Sequence, residues 1–80
     1  MEQLVFSPES LGQALRRQRK AKSLNQTKLG ELFKLEQSTI SNIETGAPGT
    51  RIETLFRVLA ALDLEMVIRS KSSQRQNENW

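Results

Sequence analysis

Four short, polar and uncharged side chains lie close together in the middle of the sequence: Gln37, Ser38, Ser41 and Asn42. On a helix, this spacing places all four on one outer face. Amides and hydroxyls both donate and accept hydrogen bonds, as the edges of base pairs do in the major groove of DNA. The stretch therefore predicts base reading, in which Gln37 and Asn42 could each contact adenine through two hydrogen bonds. The plainer interpretation is an ordinary solvated helix face.

Two short helices joined by a tight turn are predicted to hold this face, over residues 26–46. Apolar residues recur at helical spacing on both sides of a break, at Leu29, Leu32, Phe33, Leu35, Ile40 and Ile43. The small residue Gly30 is expected where two crossing helices come closest. The second helix is predicted over residues 37–44, with a left-handed cap at Gly46.

Candidate phosphate ligands lie on the same two helices. Asn25 is a good N-cap for the first helix, and with Gln26 it presents side-chain amides at a positive helix end, where a phosphate can dock. For Gln26 the alternative is simple capping. Lys28, Thr39 and Thr45 are further candidates, the two threonines also as caps. Such contacts position a protein on DNA without reading its sequence.

Positive charge is concentrated in the first half of the chain, although the net charge is only +3. Between residues 16 and 34 a single acid, Glu31, stands against Arg16, Arg17, Arg19, Lys20, Lys22, Lys28 and Lys34. An isolated charge run is usually a solvated helix face, but beside the motif above it indicates a phosphate-binding surface.

Residues 26–46 resemble the helix-turn-helix of the Cro and phage-repressor family. The resemblance rests on Gln26, Gly30, Leu35 and the ending Ser-Asn-Ile-Glu-Thr-Gly at residues 41–46, and it extends over about residues 11–62. It implies an all-α, compact four-helix domain. It also implies a structural ion pair between Arg19 on the first helix and Glu44 on the recognition helix.

Two residues depart from the family pattern. Lys34 stands where the family usually has a turn glycine, and a positive φ there would cost on the order of 1 kcal/mol. Glu36 precedes the recognition helix, where a carboxylate suits the helix end but would face phosphates. Glu36 must therefore turn aside, or accept a hydrogen bond from a cytosine amine.

The flanking helices have their own sequence signals. Ser7 as N-cap and Pro8 at the first helical position predict a helix that runs to about Lys22. Its inner residues are Leu11, Ala14, Leu15 and the Gln18/Arg19 edge, and Phe6 is expected on Leu11 or on the core. Thr50 and Glu53 are expected to form a capping box for the last helix. The inner stripe of that helix is predicted as Ile52, Leu55, Phe56, Leu59 and Leu62.

After the last helix the apolar period changes from helical to alternating. Leu64, Met66 and Ile68 alternate with their neighbours over residues 64–69, which predicts one strand. A lone strand needs a partner, either residues 3–6 or the same strand of a second chain. We therefore expect a helix-turn-helix and dimerisation domain over residues 1–69. Residues 70–80 are expected to form a disordered tail.

The whole plan is similar to the HipB-type antitoxins. The shared features are Ser7-Pro8, the recognition helix Gln-Ser-Thr-Ile-Ser-Asn at residues 37–42, the single strand, and a polar tail ending in Trp80. The resemblance implies a homodimer with a shared two-stranded sheet, a palindromic operator upstream of its own operon, and a HipA-type Ser/Thr kinase toxin as partner. Trp80 would be a kinase anchor, a degradation signal or a chance terminal residue. A stand-alone repressor without a toxin is the nearest alternative.

Other function classes find little support in the composition. The chain has no cysteine and no histidine, and we expect no metal, no cofactor, no small-molecule substrate and no catalysis. No apolar run approaches the roughly 20 residues of a membrane span. A cytoplasmic bacterial protein without a signal peptide is therefore expected. An interaction module that has lost DNA binding is disfavoured by the basic surface.

Overall fold

Four α-helices make up the described part of the chain, residues 2–71 of a computed structural model. They are α1 (Pro8–Ala21), α2 (Gln26–Phe33), α3 (Gln37–Thr45) and α4 (Ile52–Ala61). The predicted all-α fold is confirmed. Within residues 2–71, no helix is long and apolar enough to cross a membrane. Residue 1 and residues 72–80, including Trp80, lie outside the described residues.

The first two helices begin at the caps that their sequences predict. Ser7 Oγ accepts a hydrogen bond from the Ser10 amide, and Ser10 Oγ accepts one from the Ser7 amide, each at 3.0 Å. This reciprocal pair closes a capping box in front of Pro8. At α2, Asn25 Oδ1 accepts from the Lys28 amide at 2.7 Å. Both caps satisfy amides that have no partner within their helix.

The core lies where all four helices meet. Its most deeply buried side chains are Leu15, Leu29, Ile40, Val58 and Leu62. Two side chains also tie helix ends together: Gln18 Nε2 donates to the Leu62 carbonyl at 3.0 Å, and an Arg57 nitrogen donates to the Phe33 carbonyl at 2.6 Å. These bonds join α1 and α2 to α4, so α4 is held against the core side of the helix-turn-helix.

Two glycines permit close backbone contacts. A Cβ on Gly12 would lie 2.3 Å from the Glu44 carbonyl oxygen, so α1 and α3 can cross at this distance only with glycine here. Gly12 was not among the residues expected at a helix crossing. A Cβ on Gly30 would lie 2.4 Å from the Leu35 carbonyl oxygen. The glycine at position 30 therefore permits the close approach of the turn after α2, and not the expected crossing of two helices.

The start and the inner face of α4 differ from the prediction. The N-cap is Arg51, without a side-chain cap bond, so the predicted capping box of Thr50 and Glu53 is wrong. Because α4 begins at Ile52, Glu53 is its second residue and cannot close a box. The buried stripe consists of Leu55, Val58, Leu59 and Leu62. Ile52 and Phe56, predicted to be inside, are 68% and 50% exposed.

The segments outside the helices carry exposed apolar residues. Phe6 is 65% exposed, so its expected packing on the core is wrong, and Lys71 Nζ lies 5.8 Å from the centre of its ring. Leu64 packs against the core, while Met66 and Ile68 are exposed. Residues 2–71 contain no strand, so residues 3–6 do not pair with residues 64–69 in the single chain. Pairing with a second chain stays a prediction.

Lys34 stands where the family usually has a turn glycine, and it ends α2 in the left-handed conformation, with φ 57° and ψ 46°. Replacing Lys34 with Gly should raise the free energy of unfolding by about 0.5 to 1 kcal/mol, because only glycine adopts this conformation without a steric penalty. Urea unfolding measures the change. As a matched control, Arg17→Gly on the exposed side of α1 should lower stability by about 1 kcal/mol. A destabilised Lys34→Gly variant would contradict the expectation.

Candidate nucleic-acid interface

A buried ion pair fastens α1 to the end of α3. Arg19 Nε donates to Glu44 Oε2 at 2.6 Å, and Arg19 Nη2 donates to Glu44 Oε1 at 3.0 Å. The two side chains are only 8% and 5% exposed. Arg19 Nη1 also donates to the Leu24 carbonyl at 2.7 Å. The guanidinium thus binds the carboxylate in the two-point geometry that arginine favours, and it also holds the corner before α2.

The ion pair continues to the protein surface through two glutamines. Gln26 Nε2 donates to Glu44 Oε1 at 3.0 Å, and Gln37 Nε2 donates to Gln26 Oε1 at 3.2 Å. We call this series of side chains, Arg19, Glu44, Gln26 and Gln37, the polar relay. It joins α1, α2 and α3. The side chain of Gln26 therefore does not cap α2, since Asn25 performs that role, but orients Gln37.

The outer face of α3 presents most of the expected base-reading residues. Gln37, Ser38 and Asn42 are exposed, while Ser41 is half-buried at the edge of the face. Ile40 and Ile43 lie on the opposite side of α3, in the core. The buried isoleucines fix the rotation of the helix, and this rotation turns the amides and hydroxyls outward.

The expected phosphate ligands differ in whether their side chains already form hydrogen bonds within the protein. Lys28 is exposed on α2, and Asn25 has committed its side-chain oxygen to the cap. Thr45 Oγ donates to the carbonyls of Ser41 and Asn42, each at 3.1 Å. Its hydroxyl proton is thus used within α3, which does not favour the predicted phosphate contact of Thr45.

A shallow groove beside α3 brings in a cation that the sequence analysis missed. Thr39 and Asn42 line this groove on the α3 side, and Arg51 lines it from the start of α4. The other residues of the lining are Pro48, Gly49, Thr50 and Thr54. Arg51 was missed because the expected capping box made Thr50 the N-cap, so that Arg51 would have been an ordinary residue of the first turn of α4. Its charge adds a cation to the groove beside Thr39 and Asn42.

The four-helix fold and the polar outer face of α3 define a DNA-binding helix-turn-helix protein, and a family model described as helix-turn-helix matches residues 15–68. Antitoxin HipB of Escherichia coli strain K12 is 30% identical over 84 residues, which span 98% of this chain and 96% of that protein. The chain belongs to the HipB family of helix-turn-helix antitoxins.

Solved structures support this family assignment. A chain of a HipA-HipB-O2-O3 complex has a TM-score of 0.80 and 30% identity, and the match covers 89% of this chain and 100% of that one. A HipB-O4 20mer complex gives a TM-score of 0.81 at 30% identity, with the same coverage. The restriction-modification controller protein C.AhdI of Aeromonas hydrophila gives 0.66 at 33% identity, over 72% of this chain and 88% of its own.

The buried ion pair predicts a large loss of stability when one partner is removed. Glu44→Ala should lower the free energy of unfolding by about 3 to 5 kcal/mol, because the Arg19 charge stays buried without its counter-ion. Thermal and urea unfolding measure this loss. The control is Lys22→Ala, which breaks the exposed Lys22–Asp63 pair and should change stability by less than about 1 kcal/mol. An unchanged melting temperature of Glu44→Ala would contradict the structural role.

Proposed function

We propose that this protein is a homodimeric antitoxin that binds a palindromic operator, represses its own operon and holds a HipA-type Ser/Thr kinase toxin. The observation that carries the DNA-binding part is the polar relay. It holds a base-reading side chain, Gln37, at the exposed start of α3 and connects it to a buried ion pair. Fixing Gln37 before DNA arrives reduces the entropy lost on binding.

The geometry of Gln37 suits adenine. Its amide nitrogen donates one hydrogen bond to Gln26 Oε1. The second hydrogen and the amide oxygen therefore remain for contacts in the major groove of DNA. Adenine offers the matching N7 acceptor and N6 donor, and such a two-point contact contributes about 1 to 3 kcal/mol of discrimination. Asn42 and Ser38 would read neighbouring base pairs from the same face, with Ser41 at its edge.

Phosphate contacts on both sides of α3 would position the reading face. The first turn of α2 offers backbone amides that have no partner within the helix, together with Asn25, Gln26 and Lys28. On the other side, Thr39 and Arg51 share the groove beside α4. A phosphate on each side would hold α3 along the major groove without adding sequence preference.

Dimerisation would supply the two-fold symmetry of the operator. In the single chain, Met66, Val67 and Ile68 stay exposed after α4, and Ile52 and Phe56 stay exposed on it. Exposed apolar surface of this kind is typical of an interface. We propose that the segment with Leu64, Met66 and Ile68 pairs with its copy. Two recognition helices would then lie about one turn of DNA apart, on an inverted repeat.

The antitoxin part rests on family membership and on a HipA-HipB-O2-O3 complex as a structural relative. The kinase would be held on surfaces away from α3, with Trp80 as an anchor or a degradation signal. The similarity to the controller protein C.AhdI supports a second candidate, a transcriptional regulator without a toxin partner. Both candidates share the DNA-binding mechanism and differ in the partner.

Gln37→Ala tests the reading of sequence. Affinity for the operator should fall by about 5- to 150-fold for each half-site that loses the contact, while affinity for random DNA should change little, because base contacts confer specificity and phosphate contacts do not. Fluorescence anisotropy at one fixed salt concentration measures both. Gln13→Ala, an exposed glutamine on α1, is the matched control and should change neither. Equal weakening on operator and random DNA would refute base reading by Gln37.

Co-expression with the neighbouring genes, followed by affinity purification, tests the partner. A HipA-type kinase should co-purify with the full chain, and deleting Trp80 should lower kinase affinity or lengthen the half-life of the protein in cells. Recovery of the dimer without a kinase would favour the regulator without a toxin. If neither quantity responds to the deletion, Trp80 has no part in the mechanism.

A further inference from the structure

Glu36 lies at the start of the recognition helix, and within residues 2–71 its carboxylate forms neither an ion pair nor a cap bond. Glu36 is the N-cap residue of α3, with φ −73° and ψ 146°, but its carboxylate makes no cap bond. Within residues 2–71 the ion pairs are Arg19–Glu44 and Lys22–Asp63, so Glu36 belongs to neither. Its carboxylate accepts a long hydrogen bond from a hydroxyl, Ser38 Oγ, which donates to Oε2 at 3.4 Å.

The backbone fixes Glu36 at the edge of the reading face. Its carbonyl accepts hydrogen bonds from the amides of Thr39 and Ile40, at 3.0 and 3.3 Å. The next residue, Gln37, is held by the polar relay. Ser38, whose hydroxyl contacts the carboxylate, is itself exposed on this face. The carboxylate therefore lies beside Ser38, one of the proposed base-reading side chains of α3.

A carboxylate at this place can only accept hydrogen bonds. Guanine and thymine present acceptors in the major groove, O6 and N7 or O4, and would repel it. Adenine presents an amine, but N7 beside that amine is a second acceptor. Cytosine presents its N4 amine between a C–H edge and O6 of the paired guanine, whereas the adenine amine has an acceptor on each side, N7 and O4 of the paired thymine. Among the four bases, cytosine is thus the one that a carboxylate can approach with the least repulsion.

We propose that Glu36 is a specificity-determining residue that requires a cytosine at one position of each operator half-site. The proposal rests on the proposed function, because it assumes that α3 enters the major groove. The negative charge of Glu36 disfavours DNA in general, through repulsion of phosphates, and is compensated only where the amine is present. Glu36 thereby penalises wrong sites as well as selecting the right one.

The test is selection of binding sites from a library of randomised inverted repeats, with the full-length chain and its variants. The wild type should enrich one cytosine per half-site. For Glu36→Ala, the enrichment of cytosine at this position should be about tenfold smaller, while the bases preferred at the other positions should stay the same. Glu36→Lys should change the preferred base to guanine, since an ammonium donates to O6 and N7. Circular dichroism confirms that each variant is folded.

Glu31→Ala is the matched control, because Glu31 is an exposed acid on α2. It should raise affinity for all DNA slightly without changing any base preference. A second measurement replaces the selected cytosine with pyrimidin-2-one, which lacks the amine. The wild type should then lose about tenfold in affinity, and Glu36→Ala should not.

The outcomes separate the two levels of the proposal. If the wild type and Glu36→Ala select the same bases at every position, the role of Glu36 is overturned while operator binding stands. The same holds if the wild type tolerates loss of the cytosine amine. If the wild type enriches no site at all, the proposed function itself fails, and the role of Glu36 fails with it.

Discussion

The burial of one arginine beside one glutamate organises this protein. Removing two charges from water is costly, and the pair is tolerable only because Arg19 and Glu44 meet through two hydrogen bonds and because Leu24 and Gln26 satisfy further atoms. This arrangement requires α1 and α3 to cross at backbone contact, which only a glycine at position 12 permits. The position of α3 relative to α1 is therefore set by electrostatics and by backbone sterics together, and the apolar core fills the space behind it.

The same ion pair extends into the proposed reading surface. Because Gln26 binds Glu44 on one side and Gln37 on the other, a disturbance of the buried carboxylate reaches Gln37, a proposed base-reading side chain, through two hydrogen bonds. In our proposal, stability and recognition are thus coupled in this fold. Such networks hold their members in one arrangement when every atom is satisfied, and within residues 2–71 no buried side-chain nitrogen or oxygen lacks a partner.

The surface divides into regions of different chemistry. Exposed cations lie on α1, on α2 and at the start of α4, one acid stands at the start of α3, and apolar side chains of α4 and of the segment after it are exposed. The first region suits phosphates, the second discriminates among bases in our proposal, and the third suits a second copy of the chain. A small protein can accommodate these roles because the core needs only one face of each helix.

The amino-acid sequence by itself determined the features that depend on neighbouring residues: the caps at Ser7 and Asn25, the left-handed Gly46 with φ 78°, and the starts of the first three helices. Each is set by hydrogen bonds within about four residues. Tertiary structure decided the rotation of α4, since the apolar pattern fitted more than one face and packing buried Val58 instead of Phe56. It also decided the contact of Gly12 and the link from Gln26 to Gln37, because these join residues that only the folded chain brings together.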